Sequence, residues 1–130
     1  MEGVSLPFTI HDLYGGFAEV RGLLRLADKA LVLEFQTQDA VLNVLKMPLE
    51  ETTLPFDQLV SVGFTSKWFG YATTLSIKTK TMKSLAGVPG SGQGELRLAI
   101  ARVDRDKAQE LVSRVNLQLS EAALGNVRTE

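Results

Sequence analysis

The chain has 130 residues and a mass of 14.2 kDa, with 45% hydrophobic and 22% charged residues and 14 basic against 15 acidic side chains. That is the size of one globular domain, residues 1–130, able to bury roughly two-thirds of its unfolded surface without a covalent or metal staple. Cysteine is absent, which excludes thiol nucleophiles, zinc-thiolate sites and disulfide frameworks, and a net charge of −1 excludes a wholly basic nucleic-acid binder.

No apolar run exceeds four residues, against the ~20 that a membrane-spanning helix needs. The N-terminal Met1–Ser5 carries neither a basic region nor an apolar signal core. The expected location is cytoplasmic, with peripheral attachment to a membrane as the variant.

In chain order, a short apolar lead at Leu6–Ile10 precedes Gly15 and Gly16. In Phe17–Leu26, Val20, Gly22, Leu24 and Leu26 fall on one face, and Arg21, Leu23 and Arg25 on the other; this period of two predicts a strand. Ala27–Lys29 is a turn. Leu31, Leu33 and Phe35 then alternate with Glu34 and Gln36, predicting a half-buried strand. Val41–Met47 repeats the form. Pro48–Glu51 interrupts it before a segment built on Leu54, Phe56, Val60, Val62 and Phe64. Beyond Gly70, the residues Tyr71, Thr73, Leu75 and Ile77 alternate with Ala72, Thr74, Ser76 and Lys78, and a short run follows at Met82–Leu85.

Residues 86–94 hold four of the eleven glycines and a proline, predicting a flexible hairpin loop. A last strand, with Leu96, Leu98 and Ile100 on one face, follows it. From Asp104 the period becomes helical. Ala108, Leu111, Val112, Val115 and Leu119 form one apolar stripe, while Lys107, Glu110, Arg114, Gln118 and Glu121 face water. Asp104 is the expected N-cap and Gly125 the expected stop, giving a helix of about 18 residues, or roughly 27 Å.

This order of elements resembles the pleckstrin-homology superfold. The more specific part of the likeness is Thr53–Val62 (TLPFDQLVSV), which is similar to the fourth-strand pattern of bacterial pleckstrin-homology-like and GRAM-like domains. Val20–Leu26 with Leu31–Phe35 resembles their first hairpin, and Leu96–Ile100 with Ala108, Leu111 and Val112 their last strand and helix. The resemblance covers about residues 16–121. It implies a mostly β, α+β fold: a seven-stranded antiparallel barrel or sandwich capped by one C-terminal amphipathic helix. It also implies a binding or scaffolding module rather than an enzyme, with no cofactor. Lipid-binding members clasp inositol phosphates with Lys and Arg around the first hairpin loop. Here that loop is Ala27-Asp28-Lys29, so specific phosphoinositide binding is not expected. The helix also lacks the tryptophan usual in eukaryotic members, which points to the bacterial branch.

Charge is unevenly spread. Residues 1–66 carry four basic and nine acidic side chains, whereas residues 67–114 carry nine basic and four acidic, and no acid lies between Asp57 and Glu95. That interval contains Lys67, Lys78, Lys80 and Lys83, with Trp68, Phe69 and Tyr71 beside Lys67. Lysines next to aromatic rings suit an anionic lipid surface, each lysine adding up to about 1 kcal/mol. The alternative is that Trp68 and Phe69 cover the core or a subunit contact while the lysines guard edge strands against pairing. Three or four lysines give a nucleic-acid backbone only weak, salt-sensitive affinity, so nucleic acid is not the expected partner.

His11 is the only histidine and has only Asp12 as a local partner, so no catalytic triad can be assembled and no catalytic residue is assigned. Asp104, Asp106 and Glu110 read as helix-start acids rather than metal ligands. The glycine-rich segment lacks the Gly-Lys-Ser/Thr ending of a phosphate loop and opens no helix. The expectation is therefore a non-enzymatic module acting through a protein partner or as a homo-oligomer, an extended peptide added beside the strand nearest the helix being one mode. The alternative is a peripheral adaptor for anionic membrane surfaces. The candidate contacts are Lys67, Trp68, Phe69, Tyr71, Lys78, Lys80 and Lys83.

Overall fold

A computed structural model describes residues 5–13, 18–39, 48–66 and 73–128. Seven antiparallel strands form one sheet: β1 (Ser5–Leu13), β2 (Ala18–Ala27), β3 (Ala30–Asp39), β4 (Glu50–Pro55), β5 (Leu59–Ser66), β6 (Thr73–Thr79) and β7 (Glu95–Ile100), followed by one helix, α1 (Arg105–Arg128). The spatial order is β4-β3-β2-β1-β7-β6-β5. Two meanders, β1–β4 and β5–β7, are thus joined through β1 and β7, and β4 and β5 are the two edges.

The seam between the meanders is narrow, with Thr9↔Ala99 its one registered pair. Pro7 sits in β1 opposite Leu23 of β2, outside that registered pair, and has no N–H to give to either neighbouring strand. What the sequence offers as a short lead is thus a nine-residue central strand, with Leu6, Phe8 and Ile10 buried on alternate positions.

The inward faces are those the alternation predicts: Val20, Leu24 and Leu26 from β2; Leu31, Leu33 and Phe35 from β3; Leu75 and Ile77 from β6; Leu96, Leu98 and Ile100 from β7. Gly22 belongs to the inward face of β2 because β3 runs too close for a side chain. A Cβ there would collide with the Glu34 carbonyl oxygen and stand 2.9 Å from the Phe35 Cα.

Four expectations change. The stretch from Leu54 to Phe64 is not continuous: a 3-10 turn at Phe56–Gln58 separates β4 from β5, and Glu50 and Glu51 begin β4 instead of interrupting the chain. Pro55 sets up this corner, and the Phe56 N–H donates to the Lys29 carbonyl of the β2–β3 turn at 3.0 Å. Met82–Leu85 is a 3-10 turn. The glycine-rich loop is packed rather than free, because Leu85 and Val88 are 1% and 3% exposed and join the core. Ser91 Oγ donates to the Leu85 and Val88 carbonyls at 2.9 Å each, and the Thr79 N–H donates to Gly94 O at 2.8 Å. Finally, α1 is 24 residues long and runs through Gly125, spanning about 36 Å. It continues from a 3-10 turn at Arg102–Asp104, whose Asp104 N–H donates to Ala101 O at 2.9 Å, so Asp104 closes that turn. The strand expected at Val41–Met47 lies outside the described residues.

The stripe on α1 behaves as expected: Ala108, Leu111 and Val115 are fully buried, with Val112 and Leu119 packed against them. From Ser120 to Leu124 the side chains are exposed. The sheet therefore uses the part of the helix whose spacing is apolar, and the rest extends past it.

Candidate functional site

Lys67, Trp68, Phe69 and Tyr71 lie outside the described residues. Lys78 is at the far end of β6, exposed, opposite Ser61 of β5 and Glu95 of β7. Lys80 and Lys83 follow it, also exposed. Thr73, where β6 begins, and Thr79, where it ends, are six residues apart, about 20 Å along a strand; the three described lysines stand at the Thr79 end. Among the described residues no ion pair reaches any of them, since Glu95 is met by Arg97 at 3.6 Å. Nor does Lys78 guard an edge: β6 lies between β5 and β7.

The acidic first half is better neutralised. Arg21 Nε donates to Glu19 at 2.7 Å, and Arg25 lies 3.4 Å from Glu34 and 3.5 Å from Glu51. Glu19 also accepts from Gln38 Nε2 at 3.1 Å, and His11 Nδ1 stands 3.9 Å away. Burial pushes the Glu19 carboxyl up, but the hydrogen bonds from Arg21 and Gln38, with the charges of Arg21 and His11, outweigh it and hold the group below the ordinary carboxylate range.

Beside His11, the seam between β1 and β7 opens into a depression of about 400 Å³ lined by Thr9, Thr74, Arg97 and Ala99. Its histidine has for neighbour a carboxylate, Glu19, already committed to Arg21 and Gln38. Among the described residues no three histidine, aspartate or glutamate side chains are grouped to hold a metal ion, and no helix is long and apolar enough to cross a membrane.

A further hollow lies where α1 packs beside β5: a groove of about 460 Å³ lined by Phe64, Gln109, Glu110, Val112 and Ser113. Phe64 and Val112 give it a half-buried apolar floor. Asn116 Nδ2 donates to the Val62 carbonyl at 3.0 Å, tying the helix to the outer side of β5. In an antiparallel strand the N–H and C=O of one residue point the same way and neighbours point oppositely. Val62 and Phe64 therefore direct their backbone groups to the open edge, and Ser61, Gly63 and Thr65 theirs toward β6. A bulge between Leu59 and Ser61 resets this alternation, in agreement with the Gln58 carbonyl accepting from Lys80 N–H at 2.9 Å on the β6 side.

The two edges differ in chemistry. β4 carries Glu50, Glu51 and Pro55, the usual means of keeping an edge unpaired. β5 reads LVSVGFTS, eight residues without a charge or a proline. Peptide addition beside the strand nearest the helix is expected from the sequence, and β5 is that strand; the candidate residues drawn from charge and aromatic content do not include it, and the signal that could have found it is the absence of charge across eight strand residues. Comparison of the chain with family models, curated proteins and solved structures gives no match in any of the three.

Proposed function

We propose that the chain is a non-enzymatic, pleckstrin-homology-like interaction module that works through protein contacts at the β5 edge and the groove beside α1. Two antiparallel meanders joined at β1 and β7, with a single helix packed on β5, support the fold part of this reading. The observation that carries the contact surface is the edge of β5, free of charge and proline over Leu59–Ser66, next to an apolar-floored groove. Such an edge adds an extended strand by backbone hydrogen bonding, and the groove accepts its alternate side chains.

The test is a titration of ¹⁵N-labelled protein with a panel of uncharged and charged ten-residue peptides. Amide shifts confined to β5 and to Gln109–Asn116 support the surface. Shifts elsewhere, or none across the panel, remove it.

A second reading, a peripheral adaptor on anionic membrane, is favoured by the exposure and lack of ion pairing of Lys78, Lys80 and Lys83. It requires co-sedimentation with phosphatidylserine vesicles that falls with salt and with a triple lysine-to-glutamine variant. Binding indifferent to both would end it.

A further inference from the structure

We infer that the occupant of the β5 edge is the β5 edge of a second copy, paired antiparallel across a two-fold axis centred near Phe64; this rests on the interaction-module reading and names its partner.

A strand that meets its own copy across a two-fold axis must tolerate its own chemistry opposite itself. Like charges directly opposed across strands repel. β4 fails that requirement with Glu50 and Glu51 exposed, and Pro55 closes its end. β5 meets it, because none of its eight residues is charged. Between Ser61 and Thr65 the side chains on its solvent face are also small, Val60 beyond them being 56% exposed. Ser61, Gly63 and Thr65 are exposed, and a Cβ built on Gly63 meets nothing within 4 Å, so no bulky side chain crowds this face of the strand. Above the groove, Arg114 and Glu110 pair at 2.8 Å. That rim pair is thereby self-neutralised. The same pairing argues against a charged peptide, since Glu110, the groove's one ionisable lining residue, is already engaged.

Asn116 places the centre. Its side chain already occupies the Val62 carbonyl, so the freer outward backbone groups begin at Phe64. With Phe64 opposite its own copy, the two residues exchange both backbone hydrogen bonds, and Gly63 of one copy faces Thr65 of the other as a close, non-hydrogen-bonded pair. The two Phe64 rings are cross-strand neighbours, each with Val112 of its own groove beside it.

The experiment is light scattering on the full chain over a range up to millimolar, with the variants Gly63→Lys and Gly63→Ala, and a cross-linking arm. The expected result is a mass of twice the 14.2 kDa protomer. Gly63→Lys sets two lysines diagonally across the axis, each opposite Thr65 of the other copy, and should raise the dimer dissociation constant by about two- to fivefold; Gly63→Ala should leave it unchanged. Because Gly63 has open space around it, the lysine variant keeps its fold, which the dispersion of its amide spectrum confirms. The chain has no cysteine of its own. Mixing a Gly63→Cys protein with a Thr65→Cys protein under mild oxidation should therefore yield the mixed disulfide ahead of either self-pair, since only the 63–65 pairing brings Cα atoms into disulfide range. A protein monomeric at millimolar concentration overturns the self-pairing, and the peptide titration then decides the module reading on its own. A dimer indifferent to Gly63→Lys, or one that cross-links without preference for the mixed pair, places its interface elsewhere and also overturns it.

Discussion

Of Gly22, Gly63, Gly87, Gly92 and Gly94, Gly22 has the least room for a side chain, and Gly22→Ala measures how little. The added Cβ would collide with the Glu34 carbonyl oxygen and come within 2.9 Å of both Cα and Cβ of Phe35. Two of these three atoms are backbone, so relief requires β2 and β3 to separate along a ladder that is registered continuously from Ala18↔Asp39 to Ala27↔Ala30. Phe35 is fully buried, which leaves it no space to retreat into. Overpacking of a core costs about 1–3 kcal/mol, and a backbone clash belongs at the upper end, about 3 kcal/mol. With an unfolding entropy of about 2.1 cal/mol/K per residue over the chain, each kcal/mol lowers Tm by about 4 °C, so the expected loss is about 11 °C. The control is Gly63→Ala, where a Cβ meets nothing within 4 Å; it should be neutral or stabilise by up to about 1 kcal/mol through the unfolded chain. Scanning calorimetry on both variants at one dilute concentration decides the matter. A Gly22→Ala protein that melts with the wild type, or a Gly63→Ala protein as damaged as Gly22→Ala, would refute the reasoning.

The packed glycine-rich loop predicts that Leu85→Ala loses about 2–5 kcal/mol, whereas Met82→Ala, three residues earlier and 66% exposed, stays within about 0.5 kcal/mol of wild type; urea denaturation separates the two. Asn116→Ala removes the donor to the Val62 carbonyl and should cost about 1–2 kcal/mol, with amide exchange in β5 accelerating more than in β2. Glu19 has its carboxyl held below the ordinary range in the folded chain, so its contribution is present above its unfolded pKa and disappears as pH falls through the lowered folded value. Stability of the wild type should drop across that acid window, and Glu19→Gln should be less stable at neutral pH with a flatter acid limb, followed by denaturation between pH 2 and pH 7.

Strands whose two faces differ in polarity were legible in the sequence. Val20, Leu24 and Leu26 against Arg21 and Arg25, and the α1 stripe of Ala108, Leu111 and Val115, declare their faces because burial and hydrophobicity coincide. Misreadings arose where a local rule met a tertiary contact. The residues Ala86–Gly94 read as mobile by composition, yet Leu85 and Val88 at and within its boundary find core to fill, and Gly94 uses its freedom to hold φ at +76° beside the Thr79 carbonyl. Gly125 did not stop the helix, since a glycine in a helix interior costs only about 1 kcal/mol and ends it only where a left-handed cap forms. The break at Phe56–Gln58 was hidden because Leu54, Phe56 and Val62 are all buried, so hydrophobicity alone does not mark the corner.

The pairing order was the least legible feature, and the candidate surface depends on it. Nothing in the local pattern of LVSVGFTS distinguishes a central strand from an edge. The seam at Thr9↔Ala99 joins β1 to β7 across ninety positions of sequence, and that closure is what leaves β4 and β5 outermost. Once β5 is known to be an edge, its lack of charge changes meaning: on an interior strand it is unremarkable, while on an edge it removes the repulsion that keeps sheets apart. Asn116 then restricts the exposed ladder by engaging the Val62 carbonyl, and the bulge between Leu59 and Ser61 interrupts the alternation of β5. Among the described residues, what remains open is a short stretch around Phe64, long enough for a few backbone hydrogen bonds and bordered by a helix. Such a stretch favours pairing with one defined strand in one register over indefinite sheet growth, which a long bare edge would invite.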